Sequence, residues 1–564
     1  MQIRFVAWGR ARGSAWFALL FLFLTAAVGA EAGQRSAIAS AHPLATAAGE
    51  QMLARGGNAF DAAVAMAATL AVVEPFASGL GGGGFFLLHR QADGFETFVD
   101  AREMAPGAAS KDMYLDAQGK SDNRASLDGA KAAAIPGIPA ALAHLARRYG
   151  TLPLATTLAP AIAIAEAGFP VDARYAAAAG WRQAVLAADP SARQFLDSGK
   201  APAVGYILRQ PALAKTLRAI AESGASGFYR GPVADELVRS VRAGGGLWSL
   251  DDLANYRLLE REPFRIRYRN ARITTAPLPS SGGLVLAQAL QILERFDYAA
   301  LSETDRVHVV AEALRRGYHD RARYLGDADF DVVPQPRLAS PEYAETRAAT
   351  IDMDHATPSA SLDAPPPAKE GDNTTHFSIV DAAGNRVAAT LSINGPFGAG
   401  MAAGDTGIML NNEMNDFALA ANAANLYGLT GRAANLIAAG KRPLSSMSPT
   451  FVEDERCVLV LGTPGGSRII SMVLLGILHY VHTATPDLEG VVGLPRFHHQ
   501  YLPDRIEVEP GAFGPDWIAA LTAKGHVVQE GKRRWGNMQG VFVDRRSGEA
   551  TAASDPRGKS GVLF

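Results

Sequence analysis

Residues 372–395 read DNTTHFSIVDAAGNRVAATLSING and follow a proline-rich segment, ATPSASLDAPPPAKEG. Thr375–Val380 and Arg386–Asn394 are rich in β-branched and apolar residues, which favour extended strands. The five residues between them include Gly384 and are typical of a turn. This stretch therefore predicts a β-hairpin that begins just after an irregular segment.

The register of this hairpin brings hydroxyl side chains together at its open end. If Val380 pairs with Arg386, Thr374 lies opposite Ser392, and Asn394 projects from the same face. A threonine hydroxyl becomes a good nucleophile when a base lies within hydrogen-bond reach. The residue's own α-amine can be that base once the chain is cut before it. The residues alone leave two interpretations open: an ordinary strand threonine, or a threonine nucleophile.

Two longer motifs follow, SINGPFGAGMAAGDTGIMLNNEMNDF at 392–417 and KRPLSSMSPT at 441–450. Together with DNTTHFSIV they closely resemble the γ-glutamyltransferase family, and the likeness extends from about His42 to about Arg557. The resemblance implies an N-terminal-nucleophile hydrolase that cleaves its own precursor. The implied fold class is α+β, a four-layer αββα sandwich formed jointly by two autoproteolytic chains. It implies no cofactor.

The resemblance places self-cleavage at the Asn373–Thr374 bond. It implies a large subunit of residues 31–373 and a small catalytic subunit of residues 374–564. The segment 354–373 has three consecutive prolines and few apolar residues. We therefore expect a mobile linker at the end of the large subunit.

The N-terminus has the pattern of a secretory signal peptide. MQIRFVAWGRARGS carries three arginines and precedes the apolar run AWFALLFLFLTAAVGA. Residues 1–30 are therefore assigned to a signal peptide that is cleaved after Ala30 or Ala32. The alternative is an uncleaved anchor, but Ala15–Ala30 is short for a span of about 20 residues. We expect an exported protein, periplasmic or secreted, with no stable membrane span after cleavage.

Composition narrows the remaining classes. The net charge of −2 and the pI near 6.7 give no basic footprint for nucleic acid. Cys457 is the only cysteine and lies in CVLVLG, which is typical of an inert core thiol. His498 and His499 are adjacent, so on a strand they point to opposite faces. The chain has no HExxH motif or Cys/His spacing, and we predict no metal site.

The region after His42 predicts a buried helical layer. HPLATAAGEQMLARGGNAFDAAVAMAATLAVVEP is typical of two helices broken at Gly56-Gly57-Asn58, the second of them apolar nearly all round. SGLGGGGFFLLHR then predicts a glycine run that enters a buried strand. We interpret these glycines as close backbone packing around a site.

The resemblance assigns a set of donor-binding residues. Arg102, in a D-x-R-E motif, would bind the substrate's α-carboxylate, and a guanidinium fork suits a carboxylate well. Ser445 and Ser446 would donate hydrogen bonds to the same carboxylate. The residues that match the family's contacts to the α-amino group are Asn394, Glu413 and Asp416. Asp416 in particular favours a γ-glutamyl donor.

The resemblance also assigns the catalytic groups. Thr374 would be both nucleophile and, through its α-amine, general base, and Ser392 would position it. Gly465 and Gly466 match the family's oxyanion glycines, and turn amides of this kind can stabilise a tetrahedral intermediate. Tyr427 would be the gating residue of a lid over the donor pocket, although a loop aromatic could equally serve local packing.

The function that the resemblance implies is attack of Thr374 on the γ-glutamyl amide of glutathione or a related compound. The γ-glutamyl-enzyme would then be hydrolysed or transferred to an amino acid or peptide. Two alternatives stay open. One is an acylase for another γ-linked donor, such as a polyglutamate or a glutaryl amide. The other is a non-catalytic exported solute-binding protein, with glycine turns shaping a ligand cleft.

Overall fold

The computed structural model describes residues 35–119, 121–362, 374–420, 425–431, 433–485 and 487–559. The predicted signal peptide lies outside this part of the chain. Asn373, the residue before the predicted cleavage bond, also lies outside it.

Most strands of the described chain belong to two six-stranded antiparallel sheets. In chain order the strands are β1 (Ala37–Ser40), β2 (Gly83–Arg90), β3 (Phe95–Ala101), β4 (Phe169–Pro170), β5 (Ile207–Leu208), β6 (Leu259–Arg261), β7 (Phe264–Tyr268), β8 (Ala271–Thr275), β9 (Thr375–Val380), β10 (Arg386–Ser392), β11 (Thr450–Glu453), β12 (Cys457–Gly462), β13 (Phe497–His498), β14 (Ile506–Val508), β15 (Val528–Glu530), β16 (Gln539–Asp544) and β17 (Ala550–Ser554). The first sheet has the order β1-β9-β10-β2-β3-β6 and the second β17-β16-β12-β11-β8-β7.

Helices surround these sheets. In chain order they are α1 (Pro43–Ala54), α2 (Ala59–Val73), α3 (Ile138–Arg148), α4 (Leu154–Ala167), α5 (Ala173–Ala188), α6 (Pro211–Ser223), α7 (Ser226–Tyr229), α8 (Gly231–Ala243), α9 (Leu250–Asn255), α10 (Gly282–Leu293), α11 (Glu303–Tyr324), α12 (Gln335–Leu338), α13 (Pro341–Ala348), α14 (Ile469–His482), α15 (Leu488–Gly493) and α16 (Pro515–Ala523).

The two large sheets pack face to face, and helices cover their outer faces. On β2, Phe85 and Leu87 enter the core between the sheets, whereas Phe86 and Leu88 contact the core formed by α1 and α2. Helices α10, α11 and α14 cover the second sheet. Successive strand side chains alternate between faces, so a strand that is buried on both faces is apolar at nearly every position. This arrangement is the predicted αββα sandwich of the α+β class, and that prediction is confirmed.

The predicted hairpin is formed by β9 and β10. Its register pairs Val380 with Arg386 and Leu391 with Thr375, as predicted. The hairpin lies in the middle of the first sheet, between β1 and β2, and every residue of both strands is buried. The first sheet therefore interleaves strands from before and after the predicted cleavage bond.

The two predicted helices after His42 are α1 and α2, and the break between them is a helix cap. The Asn58 side chain accepts from the N–H of Asp61, and the Asp61 carboxylate accepts from the N–H of Asn58. This reciprocal capping box satisfies two backbone donors at the helix start. α2 is buried along its whole length, as predicted. Within the described ranges, every helix is too short or too polar to cross a membrane.

The first part of the predicted mobile linker, residues 354–362, is held in place. The N–H of Ser359 donates to the Asp504 carboxylate at 2.7 Å, and the Ser359 hydroxyl accepts from Arg315 at 2.6 Å. These contacts tie the segment to α11 and to the C-terminal part of the chain. Residues 363–373 lie outside the described part. The mobility of the whole segment 354–373 stays a prediction.

A buried histidine on β9 makes the stability of the fold depend on pH. His376 is fully buried, with its ring nitrogens 2.8 Å from the Thr390 hydroxyl and 3.1 Å from the Ser378 hydroxyl. Burial lowers the pKa of His376 to about 3. The folded protein therefore keeps this ring neutral at pH values where an exposed histidine takes up a proton.

We expect His376 to make folding stability fall in acid. Below its ordinary pKa of about 6.5 the unfolded chain binds a proton here and the folded chain does not. The stability present above that pH is thus lost as pH falls toward about 3, by up to about 1.4 kcal/mol per pH unit. Thermal unfolding between about pH 7 and about pH 5 should show a smaller loss for His376→Asn than for the parent. Equal losses would contradict this assignment.

Candidate active site

Thr374 lies immediately before β9, and the residue that follows it anchors this end of the strand. The hydroxyl of the next residue, Thr375, donates to the Glu74 carboxylate at 2.7 Å. Glu74 is buried at the end of α2 and accepts from Arg174 at 2.6 Å. A buried ion pair that receives a strand hydroxyl holds the beginning of β9 against the helical layer. Thr374 itself is 4% exposed.

Thr374 and Ser392 face each other across the open end of the hairpin. Their hydroxyl oxygens are 3.4 Å apart. The Ser392 hydroxyl also accepts from the N–H of Asn394 at 2.8 Å. Asn394 has a φ of +69°, a left-handed conformation that asparagine tolerates better than most residues. The turn at Asn394 thus fixes the Ser392 hydroxyl beside Thr374.

A cavity of about 20 Å³ opens beside Thr374, with room for about one water molecule. Its polar lining combines hydroxyls, one amide, two guanidinium groups and two carboxylates. All the predicted site residues except Gly465 line it, and Gly465 is the chain neighbour of Gly466. The polar and glycine lining is Arg102, Arg321, Thr374, Ser392, Asn394, Glu413, Asp416, Tyr427, Ser445, Ser446 and Gly466.

Arg102 follows β3 directly and is fully buried. Its guanidinium contacts Asp416 at 2.5 Å and Glu413 at 2.8 Å, and its Nε donates to the Pro443 carbonyl at 3.1 Å. A third carboxylate, Glu103, lies at 3.4 Å. These carboxylates outweigh the burial of Arg102 and raise its pKa. The guanidinium fork is therefore occupied by protein carboxylates in this structure.

Two of the carboxylates around Arg102, those of Glu103 and Glu413, are protonated more readily than usual. Burial raises the pKa of Glu103 to about 7 and that of Glu413 well above its ordinary range, although Arg102 opposes both shifts. Besides the ion pair of Glu413 Oε2 with Arg102, neither Glu413 carboxylate oxygen nor the Asn394 side-chain oxygen makes a hydrogen bond within the described residues. Both side chains line the cavity. They offer acceptors that suit a cationic donor such as an ammonium group.

The serine loop closes a second side of the cavity. The Ser445 N–H donates to the Pro279 carbonyl, and the Ser445 carbonyl accepts from the Ser281 N–H, both at 2.8 Å. The Ser281 hydroxyl also donates to the Ser445 carbonyl at 2.8 Å. This bridge between chain segments at the start of α10 and before β11 holds Ser445 and Ser446 at the cavity.

A glycine turn between β12 and α14 forms the third side. Gly465 and Gly466 have φ values of +140° and +55°, which L side chains rarely adopt. The Tyr427 ring lies against Gly466, where an added Cβ would come within 2.3 Å of the ring. The Tyr427 hydroxyl donates to the Asn394 carbonyl at 3.0 Å. Tyr427 thus covers the glycine turn and closes the cavity.

The glycine run before β2 packs closely, as the sequence predicts. A Cβ added to Gly82 would lie 2.1 Å from the Ser392 carbonyl oxygen, and one added to Gly81 would lie 2.1 Å from that of Met409. Only glycine allows these backbones to approach so closely. The run therefore supports the strand end that carries Ser392.

Comparison with known proteins identifies the family. The family model described as Gamma-glutamyltranspeptidase matches residues 45–564. The chain belongs to the γ-glutamyltranspeptidase family. The chain is 42% identical to the glutathione hydrolase proenzyme of Escherichia coli (strain K12), over 92% of this chain and 90% of that protein. It is 39% identical to the Acylase ACY 1 proenzyme of Pseudomonas sp. (strain V22), over 94% and 96%.

A solved member of this fold is also similar. The crystal structure of cephalosporin acylase from Bacillus halodurans matches with a TM-score of 0.81 and 29% sequence identity. The match covers 93% of this chain and 95% of that chain. The recognition of the family from the motifs around Thr374 is therefore confirmed.

Among the polar residues that line the cavity, Arg321 on α11 is the one that the sequence motifs do not nominate. It lies in RRGYHDRARY, a run of charged residues whose pattern does not distinguish a buried arginine from exposed ones. In the structure, α11 is buried without interruption from Val307 to Arg321. The sequence alone does not reveal this burial and therefore gives no signal for Arg321. Among the described residues, no group of three or more His, Cys, Asp or Glu side chains could hold a metal ion.

Proposed function

We propose that this family member is a self-processing γ-glutamyltransferase and glutathione hydrolase with Thr374 as its nucleophile. One observation carries the proposal. Thr374 immediately precedes β9, its hydroxyl lies 3.4 Å from that of Ser392, and it lines one cavity with Arg102 and Asp416. A nucleophile, a hydroxyl partner and paired charges for a zwitterionic substrate are thus together.

In the proposed maturation, the Thr374 hydroxyl attacks the carbonyl carbon of Asn373. The peptide nitrogen leaves as the Thr374 amine, so an ester replaces the amide, and water hydrolyses the ester. The products are a large chain, residues 31–373, and a small chain, residues 374–564. The hydroxyl that cuts the precursor then serves as the nucleophile of the mature enzyme.

The interleaved sheets support a processed heterodimer. β9 and β10 of the proposed small chain pair with β1 and β2 of the large chain, and β11 pairs with β8. Separation of the two chains would expose strand edges in both large sheets. The two chains should therefore stay together as one folded unit after the cut.

In the proposed catalytic cycle, the freed Thr374 amine takes the hydroxyl proton while the oxygen attacks the γ-carbonyl carbon of the donor. The N–H groups of Gly465 and Gly466 stabilise the oxyanion, a contribution of about 3–4 kcal/mol per donor group. The amine of the leaving peptide receives the proton, and a γ-glutamyl ester remains on Thr374. Water completes hydrolysis, and an amino acid or peptide amine completes transfer.

Donor recognition follows from the charges in the cavity. We assign the α-carboxylate to the Arg102 guanidinium, which only donates hydrogen bonds, and to the hydroxyls of Ser445 and Ser446, each of which can donate one. We assign the α-ammonium to the acceptors of Asn394, Glu413 and Asp416. When a zwitterionic donor enters, the Arg102–Asp416 contact would break. Arg102 would then bind the donor's carboxylate, and Asp416 would bind its ammonium group. Because the cavity holds about one water, Tyr427 must move away before a donor can bind.

A second candidate function is that of an acylase for a donor without an α-ammonium, such as a glutaryl amide. It is favoured by the 39% identity to the Acylase ACY 1 proenzyme and by the likeness to cephalosporin acylase. Asp416 argues for the first candidate, because a largely desolvated carboxylate without an ammonium partner would disfavour donor binding.

The two functions differ in their use of the α-amine. We expect the purified processed protein to cleave a γ-glutamyl anilide at least about 100-fold more efficiently than the matched glutaryl anilide. The measurement is kcat/KM for both donors, with Asp416→Asn as the matched variant that should narrow the ratio. A ratio near or below one would favour the acylase. If the chain stayed intact and cleaved neither donor, a binding protein would be indicated.

We also propose that the chain is exported, to the periplasm or the medium, after loss of residues 1–30. The arginines before a short apolar run and the small residues at its end support this assignment. The mass of the mature large chain would distinguish cleavage after Ala30 from cleavage after Ala32.

A further inference from the structure

Of the two cations in the active-site cavity, Arg321 is the one without a carboxylate partner in the described part of the chain. It lies on α11, 4% exposed, and lines the cavity together with Thr374 and Ser446. Its Nε donates to the Ser281 hydroxyl at 2.9 Å, and its Nη2 makes a long hydrogen bond of 3.5 Å to the Ser446 hydroxyl. Among the described residues, no carboxylate lies within ion-pair distance of it.

The contrast with Arg102 is electrostatic. Arg102 contacts both Asp416 and Glu413, so its charge is compensated inside the protein. Burial lowers the pKa of Arg321 to about 10; the fields of Tyr318 and of Asp416, which is not in ion-pair contact, oppose this shift, and the positive charge of Arg102 adds to it. Arg321 therefore remains charged near neutral pH in a place where a buried charge is unfavourable without an anion.

Arg321 also determines which way two serine hydroxyls orient their protons. A guanidinium group only donates hydrogen bonds, so the hydroxyls that it contacts must accept. The Ser281 hydroxyl, having accepted from Arg321, donates to the Ser445 carbonyl at 2.8 Å. The Ser446 hydroxyl accepts from Arg321 in the same way, which leaves its own proton available to an acceptor in the cavity.

We propose that Arg321 is a second positioning residue for the donor's α-carboxylate, acting through Ser446 and through its own uncompensated charge. The inference rests on the proposed function and deepens it. Arg321 keeps Ser446 oriented as a donor and supplies the net positive charge that Arg102 cannot supply while it is paired with protein carboxylates. Its effect should be confined to substrates that carry the α-carboxylate.

The test compares two donors that differ only in that group: a γ-glutamyl anilide and the 4-aminobutyryl anilide, which keeps the amine and lacks the carboxylate. We expect Arg321→Gln to lower kcat/KM for the γ-glutamyl donor roughly 10- to 100-fold, mainly through KM. The loss for the 4-aminobutyryl donor should be about threefold or less. Arg323→Gln, an exposed arginine two residues along the same helix, is the matched control and should behave as the parent.

Arg321→Lys is a second variant, to be used in case Arg321→Gln does not fold or is not processed. It keeps the charge but cannot contact both serines as a planar fork, so its loss on the γ-glutamyl donor should fall between those of the parent and Arg321→Gln. Equal losses on both donors, or parent-like KM in either Arg321 variant, would overturn the inference while leaving the proposed function intact. A parent protein that cleaves neither donor would instead overturn the proposed function.

Discussion

Thr374→Ala is expected to leave the chain in one piece and without measurable hydrolysis of a γ-glutamyl donor. The substitution removes the hydroxyl that both proposed steps need, the attack on Asn373 and the attack on the donor. The cavity and the glycine turn would remain, yet loss of a nucleophile typically lowers kcat about 10⁴-fold or more. Intact mass gives the cleavage state, and anilide release gives the activity.

Thr375→Ala is the matched control for this experiment. Its hydroxyl is the immediate neighbour of Thr374 but donates to Glu74, outside the cavity. We expect this variant to be cut and active, and to lose about 1–3 kcal/mol of stability because Glu74 loses a buried donor. Thr374→Ser, which keeps a hydroxyl, should also be cut. Cleavage of Thr374→Ala would identify another agent as the protease, and an uncut parent would contradict the proposed role of Thr374.

The sequence predicts those parts of the fold that depend on neighbouring residues. The hairpin, its register and the cap at Asn58 follow from alternation and turn residues within short stretches. The family motifs add the layered architecture, which no local pattern implies. The order of strands in the sheets, with β9 and β10 between β1 and β2, depends on pairing over hundreds of residues and could not be read from local patterns.

The sequence predicts which residues form the candidate site better than it predicts the contacts between them. The motifs nominate Arg102 for a carboxylate, and the structure has its fork on Asp416 and Glu413. The site satisfies these buried charges by pairing them with each other, and a sequence carries no information about that pairing. The sequence does not predict Arg321 as a site residue, for a different reason. Its helix has charged residues on several faces, and only the packing of α11 shows which of them is buried.

The Arg102 ion pairs lead to the second large prediction. Arg102→Gln should lower the stability of the protein by about 3–5 kcal/mol, because one buried cation is removed from among carboxylates that remain. It should also lower kcat/KM for a γ-glutamyl donor by roughly 30-fold or more, since the donor carboxylate loses a charged partner. Thermal unfolding and anilide release measure the two effects separately.

The stability effect has a signature in its pH dependence. In the parent, the pKa of Glu103 is raised to about 7, so the folded protein holds a proton that the unfolded chain releases near pH 4.3. Stability from this group is full below the unfolded pKa and is lost as pH rises through the folded pKa. Without Arg102, whose charge lowers the pKa values of Glu103 and Glu413, both should rise further. The deficit of Arg102→Gln should therefore grow between about pH 7 and about pH 9.

Glu413→Gln supplies the matched second substitution. Removing one carboxylate from the cluster should restore part of the stability that Arg102→Gln loses, so the double variant should unfold at a higher temperature than Arg102→Gln alone. It should not restore donor cleavage, because the carboxylate partner of the substrate is still absent. If the double variant were no more stable than Arg102→Gln, repulsion that involves Glu413 would be excluded as the cause of the stability loss.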